Sequence, residues 1–218
     1  MGSTGKTSTT APYNFGWWDY EDEGWNGQGV QNTLAWFKQN SNLDSWQKSL
    51  SKEEISALSN FTDSAYSVVN KALRSSKPIP QDVQAQIDLI KGALDRFVLK
   101  KPMVVARTAD AWMLEMNNPK WAQIQGMVGK TITTKGFLSA NSDKHGSFVG
   151  VGGDIEYKIE IPAGKGMGAW LPTVAGNLQK NESEFLINIF PNRQFQVTKV
   201  ERDKTDYWDK KTVYLKMV

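Results

Sequence analysis

Two glutamates stand two positions apart in the segment NESEFLIN, at Glu182 and Glu184. In a strand, side chains two apart leave the same face. Both carboxylates would then project together, while Ser183, Phe185 and Ile187 turn toward a core. Paired carboxylates can move protons or stabilise a developing positive charge, and the same spacing also describes a solvated sheet edge. Arg107 closes the apolar run MVVA (103–106). An arginine at a strand end can offer a planar fork of donors to a phosphate or a carboxylate and keeps its charge at any physiological pH; a salt bridge is its other common use. Ser139, in GKTITTKGFLSANS, places a hydroxyl at the end of a further short strand.

Composition limits what else could carry chemistry. The 218 residues include no cysteine and one histidine, His145. Disulfide frameworks, thiolate catalysis and cysteine-ligated zinc or iron–sulfur sites are excluded, and a lone imidazole cannot build a two-histidine metal motif. No metal is expected. GSTGKT near the N-terminus has two residues between its glycines where a phosphate-binding loop has four, and no strand precedes it. The net charge of +3, spread along the chain, points neither to nucleic acid nor to an anionic membrane. No run approaches the ~18 apolar residues of a membrane span, and the N-terminus lacks the apolar centre of a signal peptide. The length suits one domain with a sizeable core.

The elements that must position these groups fall into two halves. Residues 1–11 are expected to form a disordered tail. Residues 12–49 are an aromatic extension containing Trp17, Trp18, Trp25, Trp36 and Trp46, with a short helix suggested by Val30, Leu34 and Phe37. Such rings usually pack, and a sugar- or membrane-binding surface is the alternative. Ser51 and Glu54 have the spacing of a capping box, with Leu50 and Ile55 placed to close a hydrophobic staple. Ile55, Leu58, Tyr66, Val69 and Leu73 continue that helix to about Arg74. After the loop SSKPIPQD, Val83, Ile87, Ile90, Leu94 and Phe97 mark a second helix. The rest reads as short strands: MVVA, the segment from Thr131 to Ser139, DIEYKIEI (154–161), EFLINIF (184–190), FQVTKVE (195–201) and KTVYLKMV (211–218). Helices followed by strands indicate an α+β fold.

Five blocks in order give the chain a resemblance to the bacterial NAD-dependent mono-ADP-ribosyltransferase toxins, especially the enzymatic components of actin-modifying binary toxins and the Rho-modifying exoenzymes. They are the helix with its Tyr…Asn…Leu-Arg spacing, VVAR, GKTITTKGFLSAN, IEIPAGKGMGAWL and NESEFLI. The resemblance implies N-terminal helices packed on a mixed, mainly antiparallel two-sheet β core, within a single domain over residues 12–218. It implies NAD as co-substrate and a transition state of oxocarbenium character. Glu184 would engage the ribose of the nicotinamide nucleoside, Glu182 would face the acceptor, and Ser139 would orient Glu184. Arg107 would pair with the NAD pyrophosphate, with Tyr66, Asn70 and Lys158 as further contacts and Phe148 stacking on nicotinamide. Relatives that modify Asn or Gln carry Gln where this chain has Glu182, so the glutamate favours an arginine acceptor.

The chain departs from the family pattern at Ser139-Ala140-Asn141, which keeps only the first residue of a Ser-Thr-Ser motif, at Thr108, and at Gln179, where relatives often carry an aromatic. The resemblance makes a host protein the partner, actin first and a small GTPase second, with a delivery component alongside. It implies a monomer, secreted or injected, that acts in the host cytoplasm. An NAD glycohydrolase without protein acceptor and a non-catalytic interaction domain of the same fold are the competing readings.

Overall fold

The computed structural model describes residues 28–142, 155–174, 183–190, 193–204 and 209–218. Glu182, Phe148, His145, Gln179, Trp17, Trp18 and Trp25 lie outside them, as do residues 1–11. Helices α1 (Gln28–Asn40) and α2 (Leu43–Ser49) precede α3 (Lys52–Asn60), whose start is capped as its sequence indicates. The Ser51 hydroxyl accepts from the Glu54 amide at 3.1 Å, and the Glu54 carboxylate accepts from the Ser51 amide at 2.8 Å. Ile55 stays exposed, leaving the expected staple without its second partner in the core.

The helix expected to run unbroken to Arg74 is interrupted by a π-helical turn, Phe61–Ala65, before α4 (Tyr66–Arg74). An extra residue per turn rotates everything after it around the helix axis. Leu58, Phe61 and Val69 are buried, whereas Tyr66 is 52 % exposed. α5 (Gln81–Asp95) follows its pattern fully, with Val83, Ile87, Ile90 and Leu94 buried along one face.

The strands are β1 (Val98–Leu99), β2 (Met103–Ala109), β3 (Thr131–Thr133), β4 (Leu138–Asn141), β5 (Ile155–Ile161), β6 (Gly164–Lys165), β7 (Gly168–Trp170), β8 (Glu184–Ile187), β9 (Gln194–Asp203) and β10 (Lys210–Met217). β1 and β6 form a small antiparallel sheet. The other eight run in the order β3-β9-β10-β5-β2-β4-β8-β7, antiparallel except for the β10–β5 pair. A single residue pair, Ala106 with Asn141, joins β2 to β4. This thin junction divides the large sheet into a five-stranded and a three-stranded part. A 3₁₀ turn, Ala111–Leu114, follows β2, and α6 (Trp121–Gln125) precedes β3.

Helices and sheet share one core, and its centre is aromatic. Phe37 of α1 stacks on Trp170 at 5.3 Å and on Phe185 at 6.0 Å, while Trp46 of α2 meets Phe97 edge-on and donates its indole N–H to the Ala93 carbonyl at 2.8 Å. Trp36 and Trp46 thus pack inward, and α1 and α2 are built into the domain. Gly168 carries a positive φ of 149° where β7 presses on β8. A Cβ there would sit 2.4 Å from the Leu186 carbonyl oxygen, so only glycine fits.

Candidate active site

The thin junction between the two parts of the sheet is where the chemically capable residues gather. β8 lies against β4 with Glu184 directly opposite Asn141 and Leu186 opposite Ser139. Paired residues share a face, so Glu184, Asn141 and Ser139 look to one side. Phe185, Ile187, Leu138 and Ala140 look to the other, into the aromatic core. Ser139 is diagonal to Glu184, a position roughly 7–8 Å away in such ladders. The immediate cross-strand neighbour of Glu184 is Asn141, the third member of the altered motif. Glu184 is 5 % exposed and Asn141 9 %.

Arg107 stands on β2 next to Ala106, the residue paired with Asn141. Its Nη1 donates to the Ser139 carbonyl at 2.9 Å, and its Nε is buried without a partner. Burial is the main reason the guanidinium is pushed down to about 10, the nearby Arg74 charge adds to this, and Tyr157 and Glu184 pull the other way. Arg74, at the end of α4, is also lowered by burial. The two guanidiniums share a neighbour: the Trp112 ring lies 4.6 Å from the Arg74 Cζ and 5.7 Å from the Arg107 Cζ.

α4 forms the wall over β4. Asn70 donates from Nδ2 to the Phe137 carbonyl at 3.1 Å, and its Oδ1 is buried with no partner. Helix and strand approach so closely at Gly136 that an added Cβ would lie 2.7 Å from the Asn70 Oδ1 and 3.2 Å from the Arg74 Nε. Tyr66, Asn70 and Arg74, each four residues from the next, form one stripe along α4.

Of the residues singled out from sequence, the structure brings Arg107, Ser139 and Glu184 to one junction and places Tyr66 and Asn70 on the helix above it. Lys158 lies one strand further along the sheet, on β5. Lys158 pairs with Ala106 and Tyr214, and Ala106 in turn pairs with Asn141, whereas the neighbouring Tyr157 pairs with Arg107. The Lys158 ammonium is 3.8 Å from Glu156 and 5.7 Å from the Tyr214 ring. Burial lowers its pKa, and its carboxylate neighbour is Glu156. Glu182 and Phe148 fall outside the described residues.

Arg74, Trp112 and Asn141 were missed as site residues. The spacing 66, 70, 74 was the signal for Arg74, whereas nothing in the sequence distinguishes Trp112 from a core residue of a helix. Tyr157 reads as one of four alternating core residues. It is buried, donates its hydroxyl to the Asp110 carbonyl at 3.0 Å, and lies against Arg107 with its own pKa raised by burial.

Chemically, the junction offers two guanidiniums, a buried carboxylate, and unpartnered amide oxygens at Asn70 and Asn141. Among the described residues no cluster of His, Cys, Asp and Glu could hold a metal ion, and no helix is long and apolar enough to cross a membrane.

Residues 35–217 match the family model described as ADP-ribosyltransferase exoenzyme. Over 151 residues the chain is 28 % identical to the NAD(+)–arginine ADP-ribosyltransferase EFV of Enterococcus faecalis, an alignment covering 66 % of this chain and 29 % of that protein. The match thus spans less than a third of the curated relative's length. Among solved structures, Plx2a, an ADP-ribosyltransferase toxin from Paenibacillus larvae, superposes with a TM-score of 0.69 at 18 % identity, covering 86 % of this chain and 96 % of its own. The ADP-ribosylating toxin BECa of a Clostridium perfringens binary enterotoxin, solved with NADH, gives 0.69 at 16 % identity, covering 87 % and 48 %. At these identities the structural likeness speaks for the fold, in which helices precede a mixed, mostly antiparallel sheet.

Proposed function

The chain belongs to the ADP-ribosyltransferase exoenzyme family, and on that premise we propose that it takes NAD as co-substrate and transfers ADP-ribose to an arginine of a host protein. One observation carries the reading: Arg107 lies at the β2–β4–β8 junction near enough to Glu184 for the carboxylate to act on its charge, beside buried polar atoms that have no partner. NAD has groups suited to those atoms. Its pyrophosphate suits the Arg107 and Arg74 guanidiniums, and its hydroxyls and carboxamide N–H groups suit the Asn70 and Asn141 oxygens.

The reaction breaks the bond between ribose C1′ and nicotinamide and forms a bond from C1′ to an acceptor nitrogen. Glu184 stabilises the positive charge that grows on the ribose as the first bond lengthens. Burial strengthens that interaction, because little water screens the carboxylate. Asn141, directly across the ladder, fixes where the carboxylate can point, with Ser139 at the diagonal position. Arg107 and Arg74 hold the pyrophosphate. Glu182 takes the proton that the acceptor guanidinium must lose before its nitrogen can act as a nucleophile. Residues 12–218 form the one catalytic domain of this reading. Actin is the first acceptor to test and a small GTPase the second, after delivery from outside the host cell.

The test follows nicotinamide release and label transfer together, using NAD labelled in its adenylate half and host-cell lysate. Wild type should release nicotinamide and label a protein band, Glu184→Gln should do neither, and Glu182→Gln should release nicotinamide without labelling protein. Equal loss of both signals in the two variants would overturn the division of labour. Wild-type turnover without protein label would identify a glycohydrolase.

A further inference from the structure

Arg74 and Arg107 raise a physical problem that any use of the junction must solve. They belong to different elements, the end of α4 and β2, and each is partly or largely removed from water. Their charges repel. A protein normally settles such a pair by placing a carboxylate between them, but a carboxylate would occupy the same N–H donors that an incoming anion needs. Among the described residues neither arginine forms a salt bridge. The group that lies against both is the indole of Trp112, on the 3₁₀ turn that follows β2, and its residue is 38 % exposed.

An aromatic face attracts a cation through its quadrupole and makes no claim on N–H donors in the guanidinium plane. We infer that Trp112 is a positioning residue: its ring holds the Arg74 and Arg107 guanidiniums side by side as a two-pronged clamp for a diphosphate. The inference rests on the reading of the junction as a nucleotide site, and it adds a specificity for two linked phosphates over one. Arg107 is further anchored by the Ser139 carbonyl, and Arg74 is crowded by Gly136, so the ring completes a frame that the backbone begins. The indole touches the arginines and not the reacting atoms, so its effect should fall on nucleotide binding and not on bond breaking.

The experiment uses the full chain and compares wild type, Trp112→Leu and Trp112→Phe. It measures KM for NAD, kcat for nicotinamide release, and inhibition by ADP and by AMP. Trp112→Leu should raise KM and weaken ADP by about tenfold while changing AMP inhibition and kcat by less than about threefold, the size expected for losing two partly desolvated cation–π contacts. Trp112→Phe should restore most of the ADP affinity. Equal weakening of ADP and AMP, a fall in kcat with KM unchanged, or failure of Trp112→Phe to restore binding in a protein of unaltered Tm would overturn the inference. A Trp112→Leu protein that binds ADP as well as wild type would do the same and leave the site reading standing. Wild-type protein that binds neither NAD nor ADP would remove the site reading itself.

Discussion

Two arginines, eleven positions apart in the chain, are treated in opposite ways. At the α3–α5 contact Arg96 is paired with a carboxylate. Its Nη2 donates to the Glu54 carboxylate at 2.7 Å and its Nη1 to the Gly92 carbonyl at 3.0 Å, while the same carboxylate accepts the Ser51 amide of the capping box. The Arg96 guanidinium, ahead of the smaller effects, holds the Glu54 carboxyl below its ordinary range. At the β2–β4–β8 junction Arg107 is more deeply buried, with one bond to a carbonyl and a second cation nearby; the Nε is buried without a partner in both arginines. Where two helices must stay fixed, the fold neutralises the charge. Where the proposed site must receive a diphosphate, neither the Arg107 nor the Arg74 guanidinium is in a salt bridge among the described residues, and stability there is given up for readiness.

The largest effect that could break this contrast is at Glu184. Glu184→Gln should lower nicotinamide release by about a thousandfold or more with Tm nearly unchanged, as read by a nicotinamide-release assay and a thermal melt. A melt lowered as much as the rate would place Glu184 with Glu54, as a structural carboxylate. Next comes Arg107→Lys, which keeps the charge and loses the fork. KM for NAD should rise by about a hundredfold, as read by initial rates of nicotinamide release. Gly136→Ala sharpens the comparison by pushing on Asn70 and Arg74 from below. KM should rise by about threefold to tenfold with kcat little altered, since the Asn70 and Arg74 side chains that a methyl group would meet can shift a few tenths of an ångström.

The smallest effects belong to the committed pair. Arg96→Met should lower stability by about 1 kcal/mol in urea unfolding, an amount kept small by the partial exposure of the arginine, and should leave KM for NAD unchanged. The pair also carries a pH signature. A carboxyl whose folded pKa is depressed contributes stability that is fully present above its ordinary value of 4.5 and is lost as the pH falls below it. Wild type should therefore lose thermal stability on acidification more steeply than Glu54→Gln, and parallel curves for the two proteins would show that the pair is not stabilising.

Much of the frame was legible from the chain. Val83, Ile87, Ile90 and Leu94 repeat with a helical period and are buried along α5, and Ile155, Tyr157, Ile159 and Ile161 alternate and are buried along β5. Ser51 and Glu54 announce a helix start and form it. In each case the instruction is local, because period and capping depend on residues within a few positions. The π-helical turn was not legible, since an extra residue in a turn leaves a sequence that still scans as helix. α2 was missed because seven residues with one buried tryptophan carry too little periodicity. The candidate site was legible in its strand residues and less so in its surroundings. Alternation in β5 tells that Tyr157 and Lys158 face apart, but which of them faces Arg107 depends on the β2–β5 register, a non-local fact. Trp112 could not be distinguished from core, because its partners come from α4 and β2.

The central claim, transfer of ADP-ribose to arginine at the Arg107–Glu184 junction, is tested most directly by supplying labelled NAD with a small free guanidine such as arginine methyl ester in place of a protein. Label should move to the guanidine in wild type, to neither guanidine nor water in Glu184→Gln, and to water alone in Glu182→Gln. Wild-type protein that releases nicotinamide yet delivers all of its label to water, at every guanidine concentration and also with host-cell lysate, would contradict it.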